Sequence, residues 1–165
     1  MDSNIKMGEQ TTYINKKEIT SNNFDYLSVD SVDGFAMLIN KNKFKDNIYF
    51  DENFFLYLEN DDLCLRKKNE NNFIYVLKEA KINHLGGMSH NAIYKKEIEY
   101  SRNWHWMWSK FYFNLKHYGY LIAFLKTLPS MISSIVKISF YFLTVNSYKK
   151  KIYLMRFLGL YNSMM

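Results

Sequence analysis

Four side-chain acceptors, Glu59, Asn60, Asp61 and Asp62, stand in a row between two apolar runs, Phe54-Phe55-Leu56-Tyr57-Leu58 and Leu63-Cys64-Leu65. Carboxylates are costly to bury unless they are paired or bound to a cation. A row of them in apolar surroundings therefore points to proton transfer or to the handling of a cation. The plainer alternative is an amphipathic helix with a solvated acidic start. Either way the row reads as a helix N-terminus, because exposed N–H groups and the helix dipole favour acidic side chains there. Asp62 and Arg66 are then four apart and can pair on one face, with Leu63 toward the core. A carboxylate in this first turn could accept the proton of an attacking hydroxyl. The Asn60 amide could not do so near neutral pH.

The elements that must position this row are readable on both sides. A strand starts at Phe24 and runs to a turn at Gly34, which suits close backbone approach or a plain turn. A second strand is expected over Phe35–Ile39, then a polar turn or short helix to Asn47. The run Phe54–Leu58 reads as a buried strand or as the start of a helix, and periodicity does not choose. The helix from Glu59 should end near Lys68, where Asn69–Asn72 is a breaker cluster. A further strand, Phe73–Leu77 continued by Ala80–Ile82, would deliver His84 just past its end, where sites gather in open α/β sheets. Gly86 and Gly87 free the backbone beside it.

Three segments in order carry a resemblance. Val29-Asp30-Ser31-Val32-Asp33-Gly34 is followed by Ala36-Met37-Leu38-Ile39. Next comes Phe50-Asp51-Glu52, with Phe54-Phe55-Leu56-Tyr57 and Glu59-Asn60-Asp61-Asp62-Leu63. The third is His84-Leu85-Gly86-Gly87-Met88-Ser89. Together they resemble the C-terminal half of a family 2 glycosyltransferase, closest to the rhamnosyltransferase-like enzymes of bacterial surface polysaccharide synthesis. The resemblance implies an α/β fold: a partial GT-A (Rossmann-like) sheet lacking its N-terminal nucleotide-binding half, followed by C-terminal amphipathic helices. It implies an inverting transfer of a rhamnose-like sugar from a nucleotide-sugar donor to a glycan or lipid-linked acceptor. It places catalysis on Glu59, Asn60, Asp61 and Asp62, and contacts to donor and acceptor on Asp30, Gly34, Gly86 and Gly87. A divalent metal, manganese or magnesium, would be held in part by His84 and would neutralise the departing diphosphate. The family's usual base occupies the position of Asn60, so by the resemblance either Asp61 or Glu59 does its work in this chain or the base is missing.

Residues 1–23 read as a loose polar arm with a short strand at Thr11–Ile14. Residues 24–92 would form the partial catalytic domain and residues 93–165 a helical, aromatic and basic tail. No Asp-any-Asp motif precedes Val29, so the chain is expected to be a fragment of the enzyme pattern and inactive alone.

The 165 residues carry a formal net charge of +6, drawn largely from Lys late in the chain. That excess suits an anionic partner such as a membrane surface or a phosphorylated substrate. No nucleic-acid recognition motif is present, and nucleic acid is not expected as a partner. A single cysteine, Cys64, excludes an internal disulfide. With no apolar stretch in the first twenty residues, a signal peptide is not expected. Residues 94–118 read as one helix with an aromatic stripe including Trp104, Trp108 and Phe111. Residues 120–145 are the most apolar, interrupted by Lys126, Pro129 and Lys137. We expect an in-plane amphipathic pair broken at Pro129 rather than a membrane span. The basic run Lys149-Lys150-Lys151 suits anionic lipid. The expected location is cytoplasmic, peripheral to the inner face of the cell membrane. A non-catalytic membrane-associated binding module is the alternative function, and a small integral membrane protein is a third.

Overall fold

The computed structural model describes residues 17–21, 24–44, 49–77, 79–83 and 92–165. The chain divides into two units. One is Met1–Glu52 with Glu59–Ser89, the other Asn53–Leu58 with His90–Met165.

The first unit holds strands β1 (Lys17–Ser21), β2 (Phe24–Val29) and β3 (Ile74–Leu77) in one antiparallel sheet of order β1-β2-β3. Lys17 lies opposite Ser28, and Val29 opposite Ile74. Successive side chains alternate in depth along β3: Ile74 and Val76 are half-buried, Tyr75 and Leu77 exposed. Tyr26 and Tyr75, diagonal neighbours across the ladder, meet edge to face at 4.9 Å. Helix α1 (Glu59–Asn69) buries Asp62, Leu63 and Cys64. It ends with Asn71 in the left-handed region at φ 60°. The Asn72 N–H reaches back to the Lys67 carbonyl and the Asn71 N–H to that of Lys68. This is a Schellman close with Asn in the place usually taken by Gly.

The expected partial GT-A, Rossmann-like α/β sheet is overturned. The described residues are mostly helical, and both strand pairings among them are antiparallel. A parallel sheet needs each crossover to return the chain in the same direction. Here the chain leaves β2, passes through α1 and re-enters as β3 running the opposite way. The second strand expected over Phe35–Ile39 is also absent. That stretch is irregular, and Leu38 is 99% exposed, so apolar composition did not find a ladder partner.

The second unit is built on three helices, α2 (Lys95–Tyr118), α3 (Tyr120–Leu143) and α4 (Ser147–Met164). Gly119 alone joins α2 to α3. Its φ of 82° is open to Gly at little cost, and its N–H closes α2 on the Leu115 carbonyl. Asn146 caps α4 by accepting from the Lys149 N–H at 3.0 Å. Met107, Phe111, Ala123 and Leu160 form the core, with Trp106, Leu115 and Phe124 packed against it. Gly159 lets α4 approach α2 closely: a Cβ there would lie 2.3 Å from the Trp104 carbonyl oxygen.

Helix α3 is continuous through Pro129, correcting the expected break. Proline forfeits one helical hydrogen bond and crowds the preceding turn, at a cost of about 3 kcal/mol. Packing of α3 against both α2 and α4 holds the two halves in line. By length and composition alone, α3 is apolar enough to cross a membrane.

Residues 53–58 are neither strand nor helix, contrary to both readings of that run. Within the second unit they lie against α2. Phe54 meets Tyr112 at 4.9 Å, Tyr57 meets Trp106 at 5.4 Å, and Ser109 Oγ donates to the Leu56 carbonyl at 2.7 Å. Tyr57 and Leu58 have positive φ, 72° and 66°. Such strain in non-glycine residues persists where neighbouring contacts enforce it.

Candidate functional site

The row of acceptors forms the first turn of α1, as its composition predicts, but its four members have different fates. Asp62 is fully buried and pairs with Arg66 Nε at 2.9 Å, one helical turn on. Arg66 also donates to the Tyr49 carbonyl at 2.6 Å. Asp62 is therefore an anchor for the segment at Tyr49, with its Oδ2 engaged by the ion pair. Asn60 donates through Nδ2 to the Val32 carbonyl at 2.7 Å. The amide at the family's base position thus braces the chain leaving β2.

Asp61 accepts from Ser31 Oγ. Burial pushes its carboxyl above the ordinary carboxylate value; the Ser31 hydrogen bond opposes the rise and the Asp33 charge adds to it. Burial thus disfavours the charged form of Asp61. Glu59 differs again. Its Oε2 atom is buried and has no hydrogen-bond partner. Buried acceptors are nearly always satisfied, and an orphan costs roughly 1–3 kcal/mol. Local spacing is enough to place Asp62 and Arg66 together. It gives no sign of Ser31, which lies thirty positions away from the carboxylate it engages.

The segment from Asp30 to Gly34 lines this turn. Asp30, expected at the donor or acceptor site, pairs with Lys68. Gly34 lies in a turn without a left-handed backbone, and a Cβ there would meet Asn60 Cβ at an ordinary 3.6 Å. Close backbone approach is not what glycine supplies here. Cys64 is buried beside Ser31 and the Val32 backbone, and burial raises its thiol pKa. That favours an inert packed thiol.

His84, Gly86 and Gly87 lie outside the described residues. Among the described residues no group of three or more His, Cys, Asp or Glu side chains is arranged to hold a metal ion. Ser31 engages Asp61 Oδ1 and Arg66 engages Asp62 Oδ2, and among the described residues Glu59 Oε2 is the buried carboxylate oxygen without a partner. This donor set does not by itself fit the divalent ion that the resemblance implies.

No protein-family model, curated protein or solved structure matches the chain.

Proposed function

We propose that the first turn of α1, with the segment from Asp30 to Gly34, forms the acceptor side of an inverting glycosyl-transfer site. In this reading Glu59 takes the proton of a sugar hydroxyl while that oxygen attacks the anomeric carbon of a nucleotide-linked, rhamnose-like sugar. A C–O bond forms on one face as the bond to the nucleotide diphosphate breaks on the other. Asn60 and Asp62 hold the turn, and Asp61 with Ser31 offers a second polar contact to the acceptor. The acceptor would be a glycan or lipid-linked saccharide at the cytoplasmic face of the membrane, with the protein peripheral to it. The chain has no Asp-any-Asp motif, so turnover by the chain alone is not expected.

The buried, unpartnered oxygen of Glu59 supports this reading most directly. A hydroxyl donor is the group that such an atom lacks, and a hydrogen bond to a charged acceptor is among the stronger kinds. The test is a titration of the isotope-labelled chain with a rhamnose-terminated soluble oligosaccharide, read by NMR. Amide signals of residues 59–62 should move, and Glu59→Gln should weaken binding about tenfold, from the loss of a charge-assisted bond. Unmoved signals at millimolar saccharide would overturn the assignment.

The second reading, a non-catalytic membrane-associated binding module, is favoured by a separate observation: the apolar side chains that α3 turns outward.

A further inference from the structure

The inward side of α3 carries a charge. Ala123, Thr127 and Ser134 are buried there, and Tyr141, two turns after Ser134, continues the same side. Lys137 lies one turn from each of the last two and reaches across to α4. Its ammonium stands 4.8 Å from the centroid of the Tyr153 ring. Arg156 of α4 lies against the same ring, 5.8 Å from that centroid. Tyr153 in turn stacks on Tyr141 at 5.7 Å, with the planes 13° apart. The ring that both cations share is thereby held between the two helices.

An aromatic ring attracts a cation through its quadrupole, but two cations at one ring repel each other. The neighbouring sequence has no acid to neutralise them. From residue 100 to the end the chain has nine Lys and Arg and no Asp or Glu. Glu99, the acid just before, accepts from the Tyr148 hydroxyl. Among the described residues no ion pair engages Lys137 or Arg156, and Arg156 Nε is buried without a hydrogen-bond partner. A guanidinium donor left in that state is costly. Lys137 is exposed and Arg156 half-buried, so the pair is reached from solvent at the Lys137 end.

We propose that Lys137 and Arg156, held on the Tyr153 ring, bind a phosphate monoester in the seam between α3 and α4. The phosphate oxygens bridge the ammonium and the guanidinium and give Arg156 the acceptor it lacks. The planar guanidinium fork matches phosphate geometry, and the lysine adds a point charge. A phosphate monoester carries about −1.5 to −2 charges near neutral pH. That balances two cations, where a carboxylate would leave one over. The site goes beyond the proposed function. It lies wholly in the second unit and uses neither the α1 carboxylates nor the exposed aliphatic side of α3, which points elsewhere.

The test is titration calorimetry of the full chain with glycerol 3-phosphate, at an ionic strength fixed with potassium chloride. Saturable binding is expected. Lys137→Gln should weaken it about tenfold, through loss of one charge-assisted contact, and Arg156→Gln by at least as much. Arg156→Lys keeps the charge and loses the fork, and should recover only part of the affinity. The control is Lys126→Gln in the same unit. That ammonium lies 4.1 Å from the Tyr118 centroid, with no second cation at the ring among the described residues. Its loss should change affinity less than about twofold; a loss equal to that of Lys137→Gln would overturn the site. Tryptophan fluorescence in urea checks that each variant keeps the second unit folded. Should Arg156→Gln unfold it, Lys137→Gln, at an exposed position, decides alone. Sedimentation with phosphatidylcholine vesicles, with and without phosphatidic acid, separates the sources of phosphate. Pelleting that needs both phosphatidic acid and Lys137, without a calorimetric signal, assigns the site to a lipid phosphate. Calorimetric binding alone assigns it to a soluble one. Binding of neither probe at millimolar phosphate would overturn the proposal.

Discussion

The two units bury polar atoms by opposite routes. The first buries a charge: Asp62 is fully enclosed and depends on Arg66, which in turn reaches the Tyr49 carbonyl. The second buries hydroxyls: Ser109, Thr127 and Ser134 are enclosed, and each donates to a backbone carbonyl within the same unit. A buried ion pair is a poor source of net stability but is strongly destabilising when halved. A hydroxyl bonded to a nearby carbonyl costs little to keep and little to lose. The sheet unit therefore has one point of acute sensitivity, while the helical unit depends on close backbone packing.

The sharpest way to break that contrast is Asp62→Ala. It leaves the Arg66 guanidinium without its carboxylate and should cost the first unit about 3 kcal/mol, read from hydrogen exchange of α1 amides. All three tryptophans lie in α2, so tryptophan fluorescence in urea reports the second unit. It should not shift in this variant; a parallel shift would show that the units melt as one. Next is Gly159→Ala, whose methyl would press on the Trp104 backbone. The helices must separate, at about 2 kcal/mol, seen as a lower urea midpoint by tryptophan fluorescence. Asn146→Ala removes the α4 cap and should cost about 1 kcal/mol by the same measurement.

The smallest effect is one of sign. Burial, opposed by Ser31 and aided by Asp33, raises the Asp61 pKa above its usual 3.8. The native state then holds this proton more tightly than the unfolded chain does. The stabilisation from Asp61 is complete below that usual value and is lost as pH rises through the native one. Asp61→Asn should flatten this part of the profile and leave the first unit somewhat more stable at neutral pH. Exchange of α1 amides between about pH 4 and pH 7 checks both.

Much of α1 is legible in the sequence. The acidic start, the Asp62–Arg66 spacing and the Asn69–Asn72 stop are local signals, and each acts within a turn or two of itself. The span of α2 is legible for the same reason. The direction of the sheet is not, because Phe24–Val29 and Ile74–Leu77 would read alike in a parallel or an antiparallel ladder. Phe35–Ile39 has the composition of a strand, but composition supplies no neighbour to pair with. Pro129 predicts a break that packing on two sides overrides. At the site, the acceptors are visible as a row. That Asn60 braces Val32 and Ser31 engages Asp61 depends on contacts about thirty residues apart, which spacing cannot encode.

The single-residue joint at Gly119 makes the orientation of α3 unusually easy to reset. Each residue added to a helix rotates the rest of its length by about 100°, and no slack is available between α2 and α3 to absorb the rotation. One inserted residue would swing Leu125 and Val136 toward the packed helices and carry Thr127 and Ser134 outward. The joint thus works as a rotary index for the whole hairpin, and the greasy side of the molecule faces where it does because that index stands at one glycine.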